Sequence, residues 1–310
     1  MNSKTFEHSH IAVLIPCHNE AGTIVKVIED VRNVMTSDTI IYVYDNNSTD
    51  NTAQLALSAG AVVRKETRLG KGNVLRSMFH DIDSECYVMI DGDDTYDVNT
   101  LPLLCQCVLN EGFDMVIGDR LSTSYSNENK RPFHTVGNKV VSKLINRLFK
   151  GNITDIMSGC RAMSRRFVKN MPILKNGFEI ESEMTIYALD NNYLIKQLPI
   201  TYRDRPLNSQ SKLHTFNDGY KIIKTILTLY VVYKPLVFFS TIAILLFIVA
   251  STALFPVFME YFQTGLVPRF PTLFVCCTII ILSLLSFMCG IILEVANWRH
   301  RQLVELLSKD

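Results

Sequence analysis

Two hydrophobic patterns divide the chain. Up to about residue 120, short β-branched runs alternate with amphipathic stretches. IAVLIP (11–16), IIYVY (40–44), AVVR (61–64), CYVMI (86–90) and DMVIG (114–118) read as strands. Glu20–Val34, a segment starting near Asp50, Gly70–Phe79 and Leu101–Leu109 carry helical spacing. Strands separated by helices predict an α/β domain, its mostly parallel sheet covered on both faces. Ligands of such sheets bind at the carboxyl ends of the strands.

Beyond residue 234 the alternation gives way to continuous apolar sequence. Leu236–Phe255 is twenty residues without a charge, and Pro271–Leu293 is twenty-three. Each is long enough to cross a hydrocarbon core of about 30 Å. Buried core helices are the alternative, but these are seldom so long and apolar on every face. The spans are placed at about 236–256 and 271–293, joined by a connector, Met259–Phe270, that holds Glu260 and Arg269. Lys221, Lys224 and Lys234 precede the first span, and Trp298, Arg299, His300 and Arg301 follow the second. The positive-inside bias makes the pair a hairpin with both ends cytoplasmic, in an inner or plasma membrane. The stretch MNSKTFEHSH has no apolar core of the kind a signal peptide needs.

Ahead of the first span, Ile222, Ile223, Ile226, Leu227 and Tyr230 form one stripe of a helix over Tyr220–Tyr230, with Lys221, Lys224 and Thr228 outside it. That is the pattern of an interfacial helix on anionic lipid, or of a helix packed on the catalytic domain. The expected organisation is a catalytic domain over 1–211, juxtamembrane amphipathic helices over 212–234 and a transmembrane hairpin over 235–310.

Composition narrows the function. The 31 basic and 30 acidic residues lack the basic excess of a general nucleic-acid binder. None of the eight cysteines forms a CxxC pair, so they read as reduced, mostly buried thiols. Polar residues cluster just after the strands: Cys17-His18-Asn19-Glu20, then DNNSTD at 45–50, then DGDD at 91–94. Asp91-Gly92-Asp93 can hold Mg²⁺ or Mn²⁺ against a diphosphate, since these cations bind through one or two carboxylates plus substrate phosphates. Alone, it could equally be an acidic turn. Asp45 could accept hydrogen bonds from a nucleobase, with Asp50 or Ser48 capping the next helix. LGKGNVL (69–75) has the glycine and lysine of a phosphate loop but not the spacing of a P-loop. RDRPLNSQSK (203–212) places three cations beside the membrane approach, where a lipid phosphate would arrive, and could otherwise be a solvated basic loop.

IPCHNE, DNNSTDNT and DGDD, in this order, resemble the family 2 glycosyltransferases, which have the Rossmann-like GT-A fold. GDR (118–120), DIMSGCRAMSRR (155–166), GFEIESEM (177–184) and the segment 199–227 resemble the dolichyl/undecaprenyl-phosphate hexosyltransferase branch, and the hairpin resembles its bacterial members. The resemblance covers essentially the whole chain. It implies that Pro16, His18, Glu20, Val43, Asp45, Asp91 and Gly92 meet the nucleotide-sugar and that Asp91 and Asp93 hold the metal. It further implies that Arg120 lies near the donor, and that Arg205, Ser211 and Lys212 meet the acceptor phosphate. His18 replaces the usual Tyr, Thr95 stands where the dolichyl-mannose enzymes have a metal-binding Gln, and the 205–212 loop is one residue longer than in some relatives.

The implied reaction is inverting, metal-dependent transfer of a hexose to a polyprenyl phosphate. UDP-glucose or UDP-N-acetylglucosamine and undecaprenyl phosphate are favoured, with GDP-mannose and dolichyl phosphate as the alternative. The acceptor is largely dianionic at neutral pH, so a strong general base is not required. Asp155 is the candidate to steer or deprotonate it, then Glu181 and Glu183, each of which could instead be a cap or an ion-pair partner. The hairpin could also support a homo-oligomer. A processive synthase would carry a QxxRW element, and the single Trp298 lies in ANWRH. A non-catalytic scaffold would not need Asp45, Asp91 and Asp93 intact, and a nucleotidyltransferase leaves the hairpin unexplained.

Overall fold

The computed structural model describes residues 9–122, 142–177, 179–203, 224, 226–228 and 230–307. Strands β1 (Ser9–Cys17), β2 (Thr39–Asp45), β3 (Val62–Lys65), β4 (Ser84–Met89), β5 (Met115–Asp119), β6 (Arg161–Ser164) and β7 (Ile195–Pro199) form one sheet, in the order β3-β2-β1-β4-β6-β5-β7. Among the described strands, only β6 runs against its neighbours; the other strand pairings are parallel. The predicted α/β class with a mostly parallel sheet is the one observed.

Register decides what meets at the carboxyl edge. Cys17 pairs with Asp45, so β1 and β2 end level; Leu14 pairs with Met89, so β4 stops three residues short of the end of β1 and the chain after it, Ile90–Asp93, runs out along the same edge. Arg161, the first residue of β6, pairs with both Met89 and Ile117. The start of the reversed strand therefore lies beside the ends of β4 and β5.

Helices α1 (Ile24–Val34), α2 (Thr52–Ser58), α3 (Lys71–Asp81) and α4 (Leu101–Leu109) alternate with the strands. α1 buries Ile24, Val27, Ile28 and Val31 at the 3–4–7 spacing of one helical face. Each such aliphatic side chain contributes roughly 1.5–3 kcal/mol when fully buried. The helix starts at Ile24, four residues after the expected Glu20. Glu20 N donates to Thr52 Oγ1 at 2.8 Å and Ala21 N to Asp50 Oδ2 at 3.2 Å, so this stretch is tied sideways to the turn after β2. After residues 142–149, also helical, come α5 (Arg165–Asn170) and α6 (Ile180–Asp190).

The chain forms two compact units, Met1–Ile226 and Leu227–Asp310. The second contains α7 (Pro235–Thr264) and α8 (Phe270–Leu307). Both are long and apolar enough to cross a membrane, and most of their large apolar side chains are exposed. The expected connector at 259–270 shrinks to 265–269. α7 continues to Thr264 and ends on Gly265 at φ 68°, whose N–H bonds Tyr261 O at 2.8 Å. Among the described residues, the buried positions beyond Pro235 at the start of α7 are small and mid-sized residues at seven-residue intervals: Ala243, Ala250 and Val257 on α7, and Cys276, Ser283 and Gly290 on α8. Ser283 Oγ donates to Ala243 O at 2.8 Å, and a Cβ on Gly290 would lie 3.0 Å from Phe239 Cβ. Close approach of two helices needs such residues. Of the expected helix over 220–230, residues 220–223 lie outside the described residues; Ile226 is buried and Leu227 half exposed.

Candidate active site

The ends of β1, β2, β4 and β5 and the start of β6 supply one contiguous edge. At the end of β2, Asp45 is almost entirely buried. Its Oδ2 accepts from Ser48 N at 3.3 Å, whereas Oδ1 is buried with no hydrogen-bond partner among the described residues. An orphaned buried carboxylate oxygen is costly unless a ligand donates to it. Asn46 fixes the surrounding wall: its Nδ2 donates to Glu66 O at 3.0 Å and Arg68 O at 2.8 Å, and its Oδ1 accepts from Gly70 N at 2.7 Å. His18 Nδ1 lies 2.7 Å from Asn46 O, and since a carbonyl only accepts, that nitrogen carries the proton. Glu66 is held by the Arg68 guanidinium first and by the Ser77 hydroxyl next; these outweigh burial and lower its pKa to about 2. Pro16 pairs with Tyr44 near the strand ends, while Val43 is fully buried in the core and packs rather than faces the edge.

The DGD motif follows β4. A Cβ on Gly92 would lie 2.9 Å from Cys17 Sγ, and Gly92 O accepts from Thr23 Oγ1 at 2.6 Å. The motif therefore sits hard against the first loop. Asp93 is buried, its Oδ1 accepting from Thr95 Oγ1 at 2.6 Å. Asp91 Oδ1 accepts from Lys71 Nζ at 2.6 Å, and the same Nζ donates to Glu181 Oε1 at 2.6 Å. Lys71 is buried, but its two carboxylate partners outweigh the desolvation and raise its pKa.

Lys71 is delivered by its glycine neighbours. A Cβ on Gly70 would lie 2.1 Å from Asn176 O, and one on Gly72 would lie 2.1 Å from Lys175 O. Gly70 also adopts φ 120°, open to glycine. The sequence reading weighed LGKGNVL only as a phosphate loop; the signal it held was a lysine between two glycines that must pass close to another backbone.

On the other flank, Arg120 donates through Nε and Nη2 to Asp155 at 2.7 and 2.9 Å, and Asp155 is fully buried. Arg120 also lies 5.2 Å over the Tyr202 ring. Gly159 N donates to Tyr96 Oη at 2.8 Å. Arg161, wholly buried, donates to Ser158 O and Thr185 Oγ1 at 2.9 Å each and to Ile156 O, which fixes the 155–160 loop; burial pulls its pKa down to about 10. Each acidic candidate has a partner: Asp155 holds Arg120, Glu181 holds Lys71, and Glu183 accepts from Leu174 N and Lys175 N at 3.1 and 3.0 Å. Arg205, Ser211 and Lys212 lie outside the described residues.

The donor set suits a hard cation. Asp91 and Asp93 offer carboxylate oxygens at one strand end, and among the described residues no group of three or more His, Cys, Asp or Glu forms a closed metal cage. Two carboxylates completed by substrate phosphates is how Mg²⁺ commonly binds. An α/β sheet presenting a buried acceptor at one strand end and a DGD motif at the next defines the GT-A class of nucleotide-sugar enzymes.

The chain belongs to glycosyl transferase family 2, whose profile matches residues 12–171, and it is a glycosyltransferase. Glycosyltransferase AglJ of Haloferax volcanii is 32% identical over 244 residues, 78% of this chain and 78% of the relative. A dolichyl-phosphate hexose transferase of the same organism is 28% identical over 226 residues, 73% of this chain and 95% of the relative. Among solved structures, glucosyl-3-phosphoglycerate synthase of Mycobacterium tuberculosis, in complex with Mn²⁺, UDP-glucose and phosphoglyceric acid, has a TM-score of 0.56 at 25% identity, covering 71% of this chain and 79% of that one.

Proposed function

We propose that this enzyme transfers a hexose from a UDP-sugar to the phosphate of a membrane polyprenol, with inversion at the anomeric carbon. The observation that carries the reading is the pairing, in one chain, of a GT-A catalytic edge with two apolar helices of membrane-crossing length. The dolichyl-phosphate hexose transferase relative agrees with it.

Asp45 Oδ1 suits the single ring N–H of uracil, while a guanine offers a ring N–H and an amino group side by side and would ask for a second acceptor. Asp91 and Asp93 would hold a divalent cation, Mg²⁺ or Mn²⁺, which when bound neutralises the departing nucleoside diphosphate. Arg120, oriented by Asp155, adds a fixed positive charge beside that diphosphate. The acceptor phosphate monoester has a second pKa near 6 and attacks as a dianion without a strong base. Asp155 thus serves as the holder of Arg120, a role that its three hydrogen bonds from Arg120 support better than proton abstraction. Arg205, Ser211 and Lys212 receive the lipid phosphate, and the hairpin keeps the catalytic unit at the cytoplasmic face.

The test is transfer from a panel of labelled nucleotide-sugars to undecaprenyl phosphate, with Mg²⁺ or Mn²⁺ and with chelator. A lipid-linked product from one UDP-sugar, lost with chelator and in Asp93→Ala, is expected. Product from GDP-mannose alone would overturn the uracil assignment, and no product from any donor would overturn the lipid acceptor.

A further inference from the structure

Just past Asp93 the chain is stitched to residues 201–203. Asp97 N donates to Thr201 O at 3.2 Å and Arg203 N to Thr95 O at 2.7 Å. The Tyr96 and Tyr202 rings meet edge to face at 5.1 Å. The side chains extend this seam to the metal motif. Thr95 Oγ1 donates to Asp93 Oδ1 at 2.6 Å, and the Tyr202 side chain reaches that of Thr95. A hydroxyl has one proton and an ionised carboxylate only accepts. The Thr95 proton is therefore committed to Asp93, which leaves Thr95 Oγ1 only its lone pairs for Tyr202. Asp93 and Thr95 are 2% and 1% exposed, so water has little access to replace either contact.

We infer that Thr95 and Tyr202 are positioning residues that orient the Asp93 carboxylate for a divalent cation, Tyr202 acting through Thr95. This rests on the reading that Asp93 holds the cation with the donor diphosphate. Partners that orient a ligating carboxylate typically change metal affinity 10–100-fold when removed. Thr95 stands where the sequence comparison with dolichyl-mannose enzymes expects a ligand of the metal itself. Here its hydroxyl is committed to Asp93 instead.

The test is Mn²⁺ binding to the full-length protein in detergent with UDP present, read by electron paramagnetic resonance, alongside thermal unfolding. Thr95→Val is expected to weaken Mn²⁺ at least about tenfold, Thr95→Ser to stay within about twofold of wild type, and Tyr202→Phe to weaken it about threefold. The double variant should be no weaker than Thr95→Val alone. Wild-type Mn²⁺ affinity in a folded Thr95→Val, or losses that multiply in the double variant, would overturn the inference. Should Thr95→Val fail to fold, Tyr202→Phe decides it: unchanged Mn²⁺ affinity in that variant overturns the inference. Wild-type protein that binds no Mn²⁺ with UDP would instead overturn the metal-dependent reading beneath it.

Discussion

Asp45, Asp91 and Asp93 were legible as residues because each lies at or just past the end of an apolar run, and the sheet register then brings those ends to one edge. Lys71 was not, because its partner Glu181 is 110 positions away and no local spacing encodes that distance. Asp155 was legible as important but not as the partner of Arg120, since their contact spans a stretch of chain with no periodic signal. Asp155→Asn should strip the buried Arg120 of its counter-charge and lower turnover at least about tenfold, while UDP and Mn²⁺ affinity change less than about threefold. Near-normal turnover would remove the pair from the reaction. Glu66 gives a stability test. Its folded pKa of about 2 lies below the ordinary carboxylate value of about 4.3, so its contribution is complete above the latter and disappears as pH falls through the former. Because Arg68 is exposed, Glu66→Gln should cost only about 1 kcal/mol at pH 7, with the two unfolding curves converging near pH 2.

The helices and the central strands followed from period and turn chemistry, with ends shifted by at most four residues. β6 and β7 did not, because RAMS opens on an arginine and IKQLP holds two adjacent polar residues, so neither shows the apolar run that marked the other strands. The Lys71 helix is placed by contact rather than by its own sequence. Gly72→Ala should therefore destabilise by about 1–3 kcal/mol and weaken donor binding, since the new methyl meets Lys175 O. Gly22→Ala, with nothing within 4 Å of its Cβ, is the matched control and should leave both nearly unchanged. In the second unit, Gly290→Leu should lower the unfolding temperature in detergent by forcing α8 away from Phe239. Ile292→Leu, on an exposed face, should not. Equal effects of the two substitutions would mean that the seven-residue seam is not the packing interface.

At the scale of the molecule, the division into an α/β unit and an apolar pair was legible because the two obey different solvents: one alternates, the other has no polar face. The full-length protein should stay with membranes through alkaline carbonate extraction, and a reporter fused after residue 310 should read out in the cytoplasm. Release into the supernatant would make the apolar helices an ordinary packing unit. The reversed strand has a consequence for how the protein is made. β6 is wedged between β4 and β5, yet it lies later in the sequence than both. Chains leave the ribosome at about 5–20 residues per second, so β1 to β4 emerge seconds before the strand that covers the outer edge of β4. Through that interval the nascent chain carries an open hydrogen-bonding edge, with β5 already synthesised but unable to take its final place. Slower synthesis between residues 119 and 161 lengthens the time for which that edge stays open, and should lower the yield of folded enzyme.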